Sequence, residues 1–148
     1  MTDSLRLQIL DAFQGVIETA MAAESPAVPV EANRRQEVTE YPYVVIIDGG
    51  EEAITEEVSI ERRFLTVTIE GYVQDADDDI RATRENLLAT LSAAARNDYT
   101  LGGLCIDITR GSVDVFMIPG SHKATSAFAV DFEIEYWTAP GDPFTQAH

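Results

Sequence analysis

The chain has 148 residues, 45% of them hydrophobic, and its 26 acidic and 10 basic side chains give a formal net charge of −16. That length predicts a single domain, residues 1–148, with its own hydrophobic core. The charge opposes electrostatic attraction to nucleic acid or to an anionic membrane, so we expect DNA to be at most a neighbour that is not held tightly.

Cysteine content and hydropathy indicate the cellular compartment and the solubility to expect. Cys105 is the only cysteine, which excludes an intramolecular disulfide and a thiolate zinc cluster within one chain. The first ten residues have neither a basic leader nor a long apolar core, and no run approaches the roughly 18 apolar residues that a membrane span needs. We therefore expect a soluble protein of a reducing compartment.

The N-terminal part predicts one helix and one long loop. Apolar residues recur at intervals of three and four across residues 4–22, which places them on one stripe of a helix. Ser4 or Asp3 can cap the start of this helix. Residues 23–42 contain three prolines and no periodicity, which predicts a loop that is long for a compact domain.

Two strands are predicted next. The run YVVIID, residues 43–48, predicts a short strand covered on both faces, and the acidic residues 51–57 are expected to turn the chain. Residues 57–73 form a long extended element whose apolar positions change from even to odd numbers. A β-bulge near Arg62 to Phe64 would explain that change.

The acidic stretch VQDADDDIRATRENLLATL, residues 73–91, is tested first as a calcium loop. Such a loop needs glycine at its sixth position and glutamate at its twelfth, where this chain has Ile80 and Asn86. The pattern therefore predicts an ordinary helix start, capped by Asp77 or Asp78, with the other carboxylates near the positive end of the helix dipole.

Two further strands complete the chain. Between Leu104 and Ile118 the apolar positions again change parity, around Gly111. In the last strand, apolar residues alternate from Phe128 to Tyr136, and the other face carries Asp131, Glu133, Glu135 and Trp137. The glycine pairs 49–50 and 102–103 are interpreted as positions that need positive φ.

The order helix, strand, strand, helix, strand, strand predicts an α+β fold. We expect a mostly antiparallel sheet of about four strands with two main helices on one face. The core is expected over residues 4–138, and residues 139–148 form a flexible tail. Fifteen extended residues span about 50 Å, more than a small core can cover, so long hairpins are expected to project and to need partners.

Catalytic chemistry has little support in the sequence. His122 falls in an expected surface turn and His148 is the last residue, so neither Ser121 nor Cys105 has an evident base. The glycine pairs lack the lysine of a phosphate loop. We therefore expect no enzyme activity, no cofactor and no metal.

Basic pairs and one tryptophan suggest a subunit contact. In so acidic a chain, Arg62 and Arg63 are expected to be interface or salt-bridging residues. Trp137 stands on the polar side of its strand, where it either covers the tail or anchors a contact with another subunit. Arg62, Arg63 and Trp137 are therefore the candidate interface residues.

The pattern as a whole resembles a known family. An N-terminal amphipathic helix, a hairpin, the helix DIRATRENLLATLSAAARND, the segment YTLGGLCIDITRG, a long hairpin and the strand AFAVDFEIEYW are similar to the tail terminator and tail completion proteins of long-tailed bacteriophages and gene transfer agents. The resemblance covers about residues 4–138, and the loop at 23–42 has no counterpart in it.

The resemblance implies a structural protein of the virion tail or neck, assembled in the host cytoplasm. Tail terminators form a hexameric ring that caps the tail tube, stops its polymerisation and presents a surface to the head-side connector or neck protein. DNA then passes through the ring without specific binding, and an acidic wall would repel it. The candidate lumen-facing acids are Glu51, Glu52, Glu56, Glu57, Asp131, Glu133 and Glu135.

Two other functions fit the same pattern. A neck or head-tail adaptor protein shares the small α+β shape, and no residue of this sequence decides between binding the tube and binding the portal. A small ligand-binding regulatory domain would also have two hairpins and two helices.

Overall fold

The structure, a computed structural model, describes residues 3–33, 40–57, 59–119 and 123–147, except for the side chains of residues 55–57. Within these ranges the chain forms two helices and five strands. They are α1 (Leu5–Ala22), β1 (Val30–Ala32), β2 (Tyr43–Glu57), β3 (Ile60–Asp75), α2 (Ile80–Asn97), β4 (Asp107–Ile118) and β5 (Ala124–Thr138). The predicted α+β class is confirmed.

The strands form one mixed sheet in the order β1-β2-β3-β5-β4. β1 runs parallel to β2, and all other neighbours are antiparallel. The sheet therefore has five strands instead of the four expected, because the segment predicted to be only loop contributes β1. Three residues are too few to show a period of two, which explains why the sequence did not reveal this strand.

The prediction for the first hairpin was wrong in two respects. The acidic residues 51–57 do not turn the chain, since β2 continues to Glu57. The bulge is not in β3, which pairs with β5 without interruption from Glu61 to Asp75. It lies in β2, where the register shifts between Asp48 and Glu51.

Glycines lie at two of the three register shifts in the described part of the sheet, the one between Asp48 and Glu51 and the one between Arg110 and Val113. A Cβ on Gly49 would lie 2.5 Å from the Thr66 carbonyl oxygen, so this position needs glycine for close approach of two strands and not, as predicted, for positive φ. The parity change around Gly111 is confirmed as a register shift between Arg110 and Val113. The 102–103 pair does have positive φ, 69° and 94°.

The two helices are capped differently at their N-termini. The Ser4 side chain accepts a hydrogen bond from the Leu7 amide and caps α1, as predicted. Neither Asp77 nor Asp78 caps α2: the N-cap is Asp79, and its side chain makes no capping hydrogen bond. Instead the Asp75 carboxylate accepts hydrogen bonds from the Thr83 hydroxyl (2.6 Å) and the Ala76 amide (2.8 Å). These two bonds, the Thr83 bond first, lower the pKa of Asp75.

Both helices pack on the same face of the sheet. Their buried residues, among them Ile9, Phe13 and Leu91, join alternate residues of the central strands β3 and β5 in one hydrophobic cluster. The rings of Phe13 and Phe132 lie 5.8 Å apart at its centre. Burial of such side chains supplies the main stabilisation of the fold. The opposite face of the sheet is not covered by either helix and is called the open face below.

The C-terminal segment, predicted to be a flexible tail with little to bury, makes hydrogen bonds to the body. The Leu5 amide donates to the Pro143 carbonyl at 3.0 Å, and the Ala147 amide donates to the Trp137 carbonyl at 3.0 Å. Gln146 also bridges to Thr138 at the end of β5. Within the described ranges, neither helix is long and apolar enough to cross a membrane.

Candidate interaction surfaces

A compact ionic cluster ties β2, β3, β5 and α1 together on the helix side of the sheet. Glu51 accepts a hydrogen bond from the Tyr136 hydroxyl and pairs with Arg63 at 3.1 Å and with Arg6 at 3.5 Å. Arg63 also pairs with Glu61 at 3.2 Å. Only 14% of the Glu51 side chain is exposed, so this predicted lumen acid is engaged in holding strands together.

Tyr136 is the neutral member of this cluster. Its side chain is buried, and burial, followed by the hydrogen bond to Glu51, raises the pKa of its hydroxyl. The phenol therefore stays protonated at neutral pH and remains a hydrogen-bond donor to the carboxylate.

The candidate interface residues fall on two faces. Arg62 and Trp137 are direct partners across β3 and β5, and both contact Glu135 on the open face. Arg62 pairs with it at 2.8 Å, and the Trp137 indole donates to it at 3.2 Å. Arg63, one residue along, points to the helix side. The two arginines therefore form salt bridges within the chain, which is one of the two roles predicted for them. Arg62, Arg63 and Trp137 do not form one surface.

The remaining predicted acids divide by their surroundings. Asp131 accepts hydrogen bonds from Thr68 at 2.7 Å and Ser112 at 3.3 Å. Glu52 and Glu133 are exposed on the open face and line a recess of about 370 Å³ beside Phe64. The side chains of Glu56 and Glu57 lie outside those that the structure describes. The open face is therefore acidic at its solvent-exposed end.

An exposed apolar surface lies at one edge of the sheet and was not predicted from the sequence. Strand β4 is at the edge of the sheet, and in the described part of the chain it pairs only with β5. Four consecutive residues at its end, called the β4 apolar edge, are exposed: Val115 (47%), Phe116 (52%), Met117 (60%) and Ile118 (39%). Consecutive residues of a strand point to opposite faces, so a core on one face cannot cover such a run. That rule was the available signal.

A second apolar surface lies between the two helices. A groove of about 770 Å³ is lined by small residues of α1 and α2: Ala12, Gly15, Val16, Thr19, Ala20, Ala93, Ala94 and Asn97, with Ala23 at one end. Its size is in the range of small-molecule pockets.

The residues considered for chemistry are either unreactive or outside the description. Cys105 is 3% exposed and its thiol donates to the Tyr99 carbonyl. Burial, then Asp98 and Asp107, raises the pKa of this thiol to about 12, so little thiolate forms at neutral pH. Ser121, His122 and His148 lie outside the described residues. Among the described residues, no group of three or more His, Cys, Asp or Glu side chains could hold a metal ion.

Comparison with known proteins adds little about function. No protein-family model and no curated protein matches the chain. One solved structure aligns with 85% of this chain and 92% of its own chain at 16% sequence identity, with a TM-score of 0.49. A similarity of this size carries no argument about activity or partners.

Proposed function

We propose that this chain is a structural virion protein of a long-tailed bacteriophage or gene transfer agent. In this proposal it is a tail terminator: copies form a ring, hexameric by the resemblance described above, that caps the tail tube. The ring stops tube polymerisation and presents a surface to the head-side connector or neck protein. It is a binding protein and not an enzyme.

The β4 apolar edge is the observation that carries this proposal. A strand at the edge of a sheet with four exposed apolar side chains promotes association, and monomeric proteins avoid it. Assembly with other copies would pair the outer edge of β4 and would bury its exposed apolar side chains. This supports a protein that works as part of an assembly.

The acidic open face supports the second part of the proposal. Glu52 and Glu133 are exposed there, and the whole chain carries a formal charge of −16. Negative charge lining a channel would repel DNA phosphates and prevent adhesive contacts with a passing duplex.

Polymerisation of tail tubes tests the function directly. Purified tube protein from the same source would be allowed to polymerise with and without this chain. We expect shorter tubes with an extra ring at one end in electron micrographs, and a hexamer by native mass spectrometry. Tubes of unchanged length without an added ring would contradict the terminator function. A ring on a purified portal or connector instead of the tube would identify a head-tail adaptor.

The groove between the helices favours a second candidate function. Its apolar lining and its volume of about 770 Å³ offer an open groove to a small apolar ligand, as in a ligand-binding regulatory domain. A metabolite library screened by thermal unfolding tests this function, because a ligand that binds the folded chain raises the melting temperature, and the rise grows with ligand concentration. A set of metabolites that leaves the melting temperature unchanged would count against it.

A further inference from the structure

We propose that copies of this chain continue one another's β-sheet, with β4 of one copy pairing antiparallel with β1 of the next. This inference rests on the proposed ring, since it names the contact from which that ring is built. It commits the β4 apolar edge to a second copy of the same chain.

The two edges of the sheet run in compatible directions. β1 is parallel to β2, and three antiparallel steps lead from β2 through β3 and β5 to β4. β1 and β4 of one copy are therefore antiparallel to each other. A second copy in the same orientation brings its β1 against β4 of the first as an antiparallel pair. Because the two edges differ, this contact is head-to-tail and can close into a ring.

The low number of charges in β1 and in the second half of β4 favours these strands as a contact between copies. Two copies that each carry a formal charge of −16 repel one another, and the repulsion is smallest where few charges meet. From Val113 to Ile118 the only charged residue is Asp114, and β1 carries only Glu31. The contact therefore brings together only two charged side chains, those of Asp114 and Glu31.

β1 and the second half of β4 lie at the same position along the strand direction. Successive pairings across the sheet connect Val30 to Val44, Gly71, Phe128 and Val115. β1 thus lies level with the second half of β4, where the apolar edge is, and not with its first half. Only a small shift along the strand is needed to bring the two edges together.

Side-chain direction and charge select the register. Val30 and Val113 both pack against the core, so Glu31 points to the open face, as do Asp114, Phe116 and Ile118. A continued sheet must keep these faces, so Glu31 has to lie opposite one of those three residues.

Two of the three registers are unfavourable. Asp114 opposite Glu31 would place like charges directly across from each other. Ile118 opposite Glu31 would set Pro119, which has no N–H, against Val30. The remaining register pairs Glu31 with Phe116, Val30 with Met117 and Ala32 with Val115. It offsets neighbouring copies by two residues, and closure of a sheet into a barrel requires such an offset.

Disulfide trapping tests this register. Residues directly opposite in an antiparallel pair have Cα atoms about 4.5–5.5 Å apart, within the range that a disulfide spans. The variants Glu31→Cys and Phe116→Cys would be purified separately, checked for folding by circular dichroism, mixed at high concentration and oxidised. Native Cys105 can remain, because it is buried. Ala32→Cys mixed with Val115→Cys provides a second, independent pair.

We expect cross-linked dimers that contain one chain of each kind, identified by mass spectrometry of the linked peptides, and little product from either variant alone. Phe144→Cys is the matched control for Phe116→Cys, because both phenylalanines are 52% exposed. Mixed with Glu31→Cys, it should give no product. The double variant Glu31→Cys/Phe116→Cys should give a ladder of bands that ends at the number of copies in the ring.

Two results would overturn the inference. Efficient cross-linking of Phe116→Cys with itself would show that β4 pairs with another β4 about a two-fold axis. Absence of cross-links in both mixed pairs would show that copies do not meet through these edges. The tube-length assay separates either failure from that of the proposed function, since tubes can still be capped by a ring built through another surface.

Discussion

The Tyr136 hydroxyl donates a hydrogen bond to the Glu51 carboxylate, and so connects β5 to β2 across the intervening strand β3. We expect Tyr136→Phe to lower the free energy of unfolding by about 1.5–3 kcal/mol, because the bond is to a charged group and its loss leaves the carboxylate with one donor fewer. Urea denaturation measures this change. Tyr99→Phe, at an exposed position, is the control and should have little effect; equal effects of the two substitutions would contradict the prediction.

Alkaline pH should destabilise the protein through the same tyrosine. Its pKa in the folded chain is raised above the value of about 10 for an unperturbed tyrosine. The stabilisation is therefore fully present below about pH 10 and is lost as the pH rises from there through the folded-state pKa. Urea denaturation at a series of pH values should show a steeper loss for the wild type than for Tyr136→Phe. Parallel curves for the two proteins would argue against this cause.

The bulge in β2 provides a test of close packing between strands. Gly49→Ala would place a methyl group 2.5 Å from the Thr66 carbonyl oxygen, whereas a Cβ at Gly50 has no atom within 4 Å. We expect Gly49→Ala to cost about 1–3 kcal/mol of unfolding free energy and Gly50→Ala to change it by less than about 0.5 kcal/mol. Thermal unfolding of the two variants measures both changes. A larger loss of unfolding free energy for Gly50→Ala than for Gly49→Ala would be inconsistent with this bulge.

The exposed acids of the open face should matter for DNA passage and not for folding. The double variant Glu52→Gln/Glu133→Gln should keep the unfolding free energy within about 0.5 kcal/mol, while slowing DNA release from particles assembled with it, because a less negative wall repels phosphates less. Glu51→Gln is the contrasting variant and should lose stability, since it weakens the pairs with Arg63 and Arg6. An unchanged rate of DNA release would refute the role of these acids as a channel lining.

Helices and strands in which apolar residues recur at regular intervals were predictable from the sequence. Elements that are too short for this spacing, or that interrupt it, were not. The stripe of α1 and the alternation of β5 repeat over many residues, so the helix and the strand were placed correctly. β1 is too short to repeat. The acidic end of β2 was taken for a turn because its charges and the two glycines suppress strand propensity, although pairing with β3 holds it extended.

The surfaces were harder to predict than the fold. Arg62 and Arg63 were predicted to be contact residues and Glu51 and Glu135 to be lumen-facing acids, but these four residues pair with one another within the chain. Which charges pair depends on strand neighbours that are distant in sequence, and on the side of the sheet that each residue faces. The run VFMI of the β4 apolar edge is an exception, because consecutive residues of a strand point to opposite faces and cannot all face a core on one side; that signal was present in the sequence.

The hydrogen bond from the Leu5 amide to the Pro143 carbonyl joins the start of α1 to the C-terminal segment, near the β2-β3 hairpin, where the Gly141 amide donates to the Glu61 carboxylate. An affinity tag or fluorescent label on either end would therefore project from the same pole of the molecule, away from Val115–Ile118 at the other. A short linker between the ends should also be tolerated, so that circular permutants opened in the exposed turn between β3 and α2, residues 76–79, would retain the fold. Such permutants would allow a label to be moved to the opposite pole without any change in the surfaces that face other proteins.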